Sequence, residues 1–487
     1  MARSVAKNAL YSGIRTISFM LFPLITYPYV ARVLLVDNLG RVDFSISLVS
    51  YFLLIAGLGV TTYATRTGAT LREDRTQLDA FASEVFTINM ASTLLAYASL
   101  AALVALWPHL HGYAALIAIQ SLSIIGTTLG VEWVYTLEED YAYITIRTVL
   151  VQVVSAVLLF ALVRRPEDYL VYAAITVLSG VGGNLFNWFR ARRYATIRLV
   201  WGFDWRRHLL PMLVLFGNAI AVTIYVNIDI SLLNVMRGDY EVGIYGLSSK
   251  IYKMVKQLLN AIITVSLPRL SLYVAQNNRT AYDSLLENMA HALLILVVPA
   301  LTMLALMAPE VVLLIGGEAY MEAVSSLRML CAAGFFAVAG NFFVSAILLP
   351  HGGEELVLRA TVIGAVVNLL LNFVFIPLAG ATGAAATTVI AEACVVTTAA
   401  WYARANLDLR ALAGRLARTL AMSAAGMTAM AVAYVALHSL ALAWLPAFFV
   451  RGCVLAGVYA IVLLACRDSL VLQGLKSLAM RTRHREQ

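Results

Sequence analysis

Long apolar stretches alternate with short polar ones along the whole chain. Fourteen stretches reach the roughly 20 mostly apolar residues that a membrane-spanning helix needs. They cover residues 9 to 31, 42 to 64, 82 to 107, 113 to 135, 142 to 164, 168 to 189, 209 to 236, 242 to 267, 287 to 307, 324 to 349, 357 to 378, 382 to 403, 416 to 437 and 443 to 466. The pattern predicts an all-α polytopic membrane protein with about fourteen transmembrane helices, the first being retained rather than cleaved as a signal peptide.

An internal repeat predicts two lobes. Three pairs of residues lie 203 positions apart, namely Gly40 and Gly243, Ser45 and Ser248, and Arg66 and Arg269. The longest polar connection falls between the sixth and seventh helices, as expected for two repeats of six helices. We therefore predict two pseudosymmetric six-helix lobes at 1–190 and 209–403, a basic cytoplasmic linker at 191–208, and helices 13 and 14 with a basic cytoplasmic tail at 404–487.

Composition excludes a soluble or disordered chain, because hydrophobic residues make up 61% and charged residues only 13%. A surplus of 35 basic over 27 acidic residues is compatible with nucleic-acid binding, but membrane orientation explains it better. With the N-terminus inside, 25 basic residues fall on the cytoplasmic side and 6 on the other. We therefore expect both termini in the cytoplasm and no nucleic-acid partner.

Motifs for catalysis or for metal and cofactor binding are missing from the sequence. The four cysteines lie in apolar segments without CxxC spacing, which indicates packing residues. The GxxxxGK[ST], HExxH and GxSxG patterns do not occur. We therefore expect no enzyme activity, no ATP hydrolysis at a P-loop, no cofactor and no metal.

The eighth apolar stretch carries charge at membrane depth. At spacings of three and four residues, one face of its helix holds Lys250, Lys253, Gln257 and Asn260. Buried membrane lysines usually face a bundle interior or a water-filled cavity, so we predict a substrate-binding surface here. Ion pairing of the lysines with Asp229 or Asp43 is the alternative, and the two interpretations can coexist.

The first helix also contains charged residues. Arg15 and Arg32 bracket Pro23 and Pro28, and proline removes a backbone hydrogen bond and promotes a bend. A bendable helix could gate a cavity whose walls include the two arginines. Snorkelling of the arginines to opposite interfaces is the alternative.

Five further polar residues in apolar helices are candidates for ion coupling or for lining a cavity: Asp43, Asp229, Asn368, Asn372 and Glu392. Asn368 and Asn372 lie one turn apart, and such pairs more often hydrogen-bond neighbouring helices, which favours packing for them. Glu392 is a more isolated acid and a candidate proton or sodium site.

Six segments resemble the polysaccharide flippases, the Wzx-type O-antigen, capsule and teichoic-acid repeat-unit transporters of the multidrug/oligosaccharidyl-lipid/polysaccharide exporter superfamily. They are PLITYPYVARVL (23–34), NLGRVDFSISLVSYF (38–52), WVYTLEEDYAYITIR (133–147), VGIYGLSSKIYKMV (242–255), SLPRLS (266–271) and VVNLLLNFVFIPLAGATGAAATTVIAE (366–392). Positions that recur in the family's motifs are Arg32, Glu139, Arg147, Asp229, Lys250, Asn368, Asn372 and Glu392.

The resemblance implies twelve helices in two lobes around a central cavity, commonly with two further helices, working by alternating access in the bacterial cytoplasmic membrane. It implies an undecaprenyl-diphosphate-linked oligosaccharide as substrate, contact with membrane lipids, and a polysaccharide polymerase and chain-length machinery as candidate partners.

Physical chemistry makes such transport plausible, since unsatisfied polar groups in hydrocarbon cost several kcal/mol each and a cationic cavity would shield the diphosphate. We expect an ion gradient rather than ATP to drive it. A multidrug and toxin exporter is the alternative, although it would favour acidic cavity residues. A membrane-embedded polysaccharide polymerase is less consistent with the short outer loops.

Overall fold

The described part of the chain is helical. The computed structural model describes residues 5–438 and 444–468, and no strand occurs within these ranges. The all-α fold class is thereby confirmed. Most of the basic tail predicted to be cytoplasmic, from residue 469 onward, lies outside the described residues.

Internal contacts divide the chain into two compact units, one extending to Gly246 and the other starting at Leu247. This division falls inside a continuous helix, and the lobe boundaries drawn from the repeat stay a prediction. The α-helices before the division are α1 (Val5–Gly57), α2 (Val60–Ala69), α3 (Arg75–Leu106), α4 (Ala114–Gly130), α5 (Glu132–Leu137), α6 (Tyr141–Leu162), α7 (Tyr169–Val181), α8 (Asn184–Ala191) and α9 (Trp205–Arg237).

Helix α10 (Asp239–Ala275) crosses the division. The α-helices after it are α11 (Arg279–Leu306), α12 (Ala308–Ile315), α13 (Ala323–Phe342), α14 (Glu354–Ala403), α15 (Leu409–His438) and α16 (Trp444–Ala465). Short 3-10 turns occur at Pro108–Tyr113, Pro166–Asp168, Glu318–Tyr320 and Leu349–His351, and a π-helical turn follows α13 at Phe343–Leu348.

The described residues contain 12 helices long and apolar enough to cross a membrane. Two of them are long enough to cross twice, at Leu10–Ala69 and Glu354–Ala403. Non-helical backbone interrupts them at Leu35 and at Gly380, between the predicted helices 1 and 2 and the predicted helices 11 and 12. The fourteen predicted segments are therefore all present.

The first predicted helix keeps helical backbone through its two prolines, and the bend expected there stays a prediction. Pro23 and Pro28 both sit inside helical backbone, whereas the interruption is at Leu35, with φ of 63°. Bulky residues rarely adopt a positive φ, so this turn is set by the packing around it rather than by a residue that prefers it. Buried Leu34 and Val36 on either side supply that packing.

The basic linker of the first unit runs along α3. Its backbone N–H groups donate over 2.8 to 3.2 Å to one face of that helix, in the pairs Thr196 to Asp79, Arg198 to Ser83, and Val200 to Thr87. The acceptors are spaced four residues apart, so the extended linker follows successive helical turns. Trp201 at its end remains 86% exposed, as expected for an indole at a membrane interface.

The two repeat glycines of the first unit lie at one helix crossing. A Cβ built on Gly40 would lie 2.0 Å from the Asp239 carbonyl oxygen, and one built on Gly243 would lie 2.2 Å from the Val36 carbonyl oxygen. The Asp239 carboxylate also accepts hydrogen bonds from Arg41, Tyr113 and Asn234 at 2.6 to 3.0 Å. Small residues and a shared acid therefore lock α10 against α1.

Candidate functional site

The predicted polar face of α10 is exposed over most of its length. Lys253 and Gln257 are exposed, and Lys250 and Asn260 are half-buried. On the opposite side of the helix, Leu259 and Ile263 are buried in the apolar core of the second unit. The helical period thus separates an apolar packing face from a cationic and amide-bearing face.

Side chains of α13 and of the π-helical turn after it extend this polar face. Asn341 donates from Nδ2 to Asn260 Oδ1 over 3.0 Å, and Ser345 Oγ donates to Asn341 Oδ1 over 2.9 Å. Ser345 lies in the π-helical turn, a feature that often occurs at functional sites. Asn260 is therefore held in orientation, with Lys253 and Gln257 exposed on the preceding turns.

Lys256 lies off the polar face and forms an ion pair. Its Nζ is 3.3 Å from Glu392 Oε1 and 5.1 Å from the centroid of the Tyr252 ring. The Glu392 side chain is 8% exposed and that of Lys256 is 30% exposed. The interpretation of Glu392 as an isolated acid is therefore wrong, while its role in ion coupling stays a prediction.

The asparagines of α14 form a buried network with the second half of the same helix. Asn372 Nδ2 donates to Asn368 Oδ1 over 3.2 Å, and Thr387 Oγ1 lies 2.5 Å from Asn372 Oδ1. The bend at Gly380 brings these two halves side by side. These contacts are hydrogen bonds between helix segments, which is the interpretation that the sequence favoured for the two asparagines. Their role in ion coupling remains a prediction.

Asp43 and Asp229 are buried in the first unit, at 4% and 5% exposure. Tyr245 donates its hydroxyl to Asp229 Oδ2 over 2.6 Å. Gly246 leaves room for Asp43, since a Cβ there would lie 2.5 Å from Asp43 Oδ2. Pairing of these acids with the α10 lysines stays a prediction.

Arg15 belongs to a charged cluster at the start of α5. Glu132 forms ion pairs with Arg15 and with Arg147, whose Nη2 lies 3.9 Å from Glu132 Oε2. Arg147 also donates to Asn184 Oδ1 over 3.0 Å. Glu132 and Asn184 line a cavity of about 270 Å³. Two arginines share one acid, so the cluster carries a net positive charge. Arg32 lies outside this cluster and is exposed three residues before the break at Leu35.

The turn between α5 and α6 holds a second set of charges. Glu139 accepts hydrogen bonds from Asn8 and Arg72, and Asp140 accepts them from Arg190 and from Tyr194. Burial and the hydrogen bond to Asp140 raise the pKa of the Tyr194 phenol. These contacts hold the turn in place. Such a structural role is enough to explain why Glu139 recurs in the family's motifs.

Comparison with known proteins decides the family. A family model described as a polysaccharide biosynthesis protein matches residues 5–274, which is more than half of the chain. The chain belongs to this family. The resemblance to polysaccharide flippases that the six segments indicated is confirmed.

Two curated relatives are similar to the chain over most of their length. A putative O-antigen transporter from Escherichia coli K12 is 21% identical over 406 residues, covering 81% of this chain and 95% of that protein. A putative O-antigen transporter from Shigella dysenteriae is 25% identical over 386 residues, covering 77% and 94%. The similarity therefore extends well beyond the part matched by the family model.

A solved structure shares the fold of this family member. The lipid II flippase MurJ in an inward closed conformation matches with a TM-score of 0.73 at 15% identity, covering 95% of this chain and 100% of that one. At this identity the match establishes architecture alone. It agrees with an all-α polytopic membrane protein.

Several partners in these sites were not predicted from the sequence. Asn341 and Ser345 extend the polar face, Thr387 completes the asparagine network, and Glu132 pairs with Arg15. A polar residue in an apolar segment is the only sequence signal they share. That signal identifies residues that need a partner but not which partner the fold supplies.

Proposed function

We propose that this protein flips undecaprenyl-diphosphate-linked oligosaccharide repeat units across the cytoplasmic membrane by alternating access, for assembly of a surface polysaccharide. The observation that carries the proposal is the exposed polar face of α10, which presents Lys253 with half-buried Lys250 inside a membrane-spanning helix. Lysine ammonium groups bind phosphate as point charges, and the neighbouring Gln257 and Asn260 suit sugar hydroxyls. The two relatives named as O-antigen transporters support the same substrate class.

The finer features of the proposal follow from the same reasoning. Arg15 and Arg32 would assist in binding the anionic head, and both termini would lie in the cytoplasm. A polymerase and chain-length machinery would take up the flipped units on the outer side. A multidrug exporter is less well supported, because the exposed charges on the α10 face are lysines rather than acids.

Removing the two lysines tests the proposed binding surface. We expect the Lys250→Ala, Lys253→Ala double variant to lower export of surface polysaccharide by roughly tenfold or more, since each charge-assisted hydrogen bond contributes about 1.5 to 3 kcal/mol. Export is measured in a deletion strain of the host carrying the variant on a plasmid, together with protein abundance. The double arginine variant keeps both charges and should retain much of the activity.

Two separate outcomes would count against the proposal. Normal export by a well-expressed double alanine variant removes the role of the polar face. Failure of the wild-type chain to restore polysaccharide in the deletion strain, despite normal abundance, removes the proposed function itself. Loss of export by Arg359→Ala, an exposed charge paired with Glu355 on α14, would indicate a general charge effect instead.

We further propose that an ion gradient drives transport, with Asp43, Asp229, Asn368, Asn372 and Glu392 as candidate residues for ion coupling or for lining the cavity. Each elementary charge moved across 100 mV supplies about 2.3 kcal/mol. Collapsing the gradients with ionophores, at constant ATP, is expected to trap lipid-linked repeat units on the cytoplasmic side. Unchanged export under these conditions excludes gradient coupling, and omission of sodium alone distinguishes sodium from protons.

A further inference from the structure

An open groove with apolar walls lies on the second unit between α11, α13 and α15. Its volume is about 410 Å³, and its walls include Leu293, Val297, Phe342 and Leu416. Those four side chains are buried at the floor, whereas Leu420 on the rim is 46% exposed. Walls of this composition suit an apolar hydrocarbon chain.

One end of the groove adjoins a depression lined by arginines, which we call the basic mouth. Leu409 at the start of α15 lines both the groove and a second depression of about 620 Å³, whose walls contain Arg279, Arg404 and Arg410. Arg279 lies 3.9 Å from Asp283 on its own helix. Over residues 5–438 and 444–468, neither Arg404 nor Arg410 has a carboxylate within ion-pair distance.

The other polar groups at the mouth leave these arginines available. The Asp408 carboxylate accepts hydrogen bonds from the backbone N–H groups of Arg410 and Ala411, at 2.9 and 3.0 Å, and so caps α15. The Arg404 guanidinium carbon lies 3.2 Å from the centroid of the Trp401 ring. This stacking orients Arg404 beside an indole that is 58% exposed, as expected at a membrane interface.

The length of the groove matches one leaflet of a bilayer. From Leu409 to Leu420 the α15 axis rises about 16 Å, at 1.5 Å per residue. Half of a hydrocarbon core of roughly 30 Å is about 15 Å. The arginines at the mouth lie on the side that the charge distribution predicts to be cytoplasmic, where anionic lipids are enriched.

We propose that the groove and its mouth form a binding site for an anionic diacyl phospholipid of the cytoplasmic leaflet. The phosphate diester contacts Arg404 and Arg410, and one acyl chain lies along α15 beside Ala413 and Leu420. Guanidinium groups bind phosphate oxygens through charge-assisted hydrogen bonds, and basic pockets between transmembrane helices recognise such headgroups. The site is independent of the transport substrate proposed above.

Lipid-dependent thermal stability of the purified full-length protein tests this proposal. In detergent, added dioleoylphosphatidylglycerol is expected to raise the melting temperature of the wild type by about 4 °C more than dioleoylphosphatidylcholine does. The Arg404→Ala, Arg410→Ala double variant should need about 20-fold more phosphatidylglycerol for the same shift. Arg359→Ala, which removes a charge elsewhere on the same predicted side, should respond like the wild type.

A second variant tests the groove without changing charge. Ala413→Phe narrows the groove and is expected to abolish most of the melting-temperature shift caused by phosphatidylglycerol. If the larger side chain prevents folding, Ala413→Val is measured instead. Equal melting-temperature shifts with both lipids, or a wild-type response of the Arg404→Ala, Arg410→Ala variant, would overturn the proposal. A melting-temperature shift of the same size with inorganic phosphate alone would also overturn the proposal. The same holds if native mass spectra show a bound polyprenyl phosphate, rather than a bound phospholipid, that is lost when Ala413 is replaced.

Discussion

Replacing Gly40 with alanine is expected to lower the yield of folded protein steeply. The new methyl carbon would lie 2.0 Å from the Asp239 carbonyl oxygen and 3.0 Å from the Gly243 backbone nitrogen. Both neighbours are helix backbone atoms, which cannot rotate away as a flexible side chain can. Overpacking in a well-packed core costs about 1 to 3 kcal/mol, and a backbone contact this short places the cost at or above the upper end.

The chain offers a matched control for this substitution in the same helix. A Cβ built on Gly13 of α1 meets nothing within 4 Å, so Gly13→Ala should fold normally and gain helix stability, by about 0.5 to 1 kcal/mol. Fluorescence size-exclusion profiles and melting curves of tagged variants measure both effects. Equal melting temperatures for the two variants would contradict the close crossing of α1 and α10.

Gly243→Ala should behave like Gly40→Ala, since its Cβ would lie 2.2 Å from the Val36 carbonyl oxygen. The two glycines occupy one crossing, so once either alanine has separated the helices the second one adds little. The double variant should therefore lose less stability than the sum of the single losses. The 203-residue repeat identified both glycines from sequence, but their proximity follows only from the fold.

The number and placement of membrane-spanning segments were predictable because apolar length is a local property of the chain. The two breaks, at Leu35 and Gly380, fall between predicted helices for the same reason. That Leu35 is the residue that turns was not predictable, because this residue is selected by its packing rather than by its own preference, and a bend at Pro23 and Pro28 stays a prediction. A helix can accommodate proline where neighbouring segments compensate the lost hydrogen bond.

In the candidate site, too, features within one helix were predictable, whereas contacts between helices were not. The polar face holding Lys253 and Gln257 follows from helical periodicity within one segment, and the structure exposes both residues. The partner of Glu392 is 136 residues away, so no local pattern indicated Lys256. Charges that look isolated in one helix acquire partners only when the helices pack.

Removing either member of the Lys256 and Glu392 pair is expected to destabilise the protein by about 3 kcal/mol. A buried charge left without its partner costs more than the pair contributes, and Glu392 is only 8% exposed. The partial exposure of Lys256 places the cost toward the lower end of the usual range for buried pairs. Melting curves of Lys256→Ala and Glu392→Ala measure it, and Glu355→Ala, which breaks an exposed pair with Arg359, should change little.

Replacing both residues separates a structural role of this pair from a role in ion coupling. The Lys256→Met, Glu392→Leu double variant removes both charges together and should recover most of the stability lost in either single variant. If Glu392 serves only to neutralise Lys256, export of surface polysaccharide should recover with stability. If Glu392 couples an ion to transport, the double variant should show the same recovery of stability but export poorly and lose its response to the ion gradient. A double variant that melts as low as the single ones would show instead that the two side chains contribute to folding independently, against the contact at 3.3 Å.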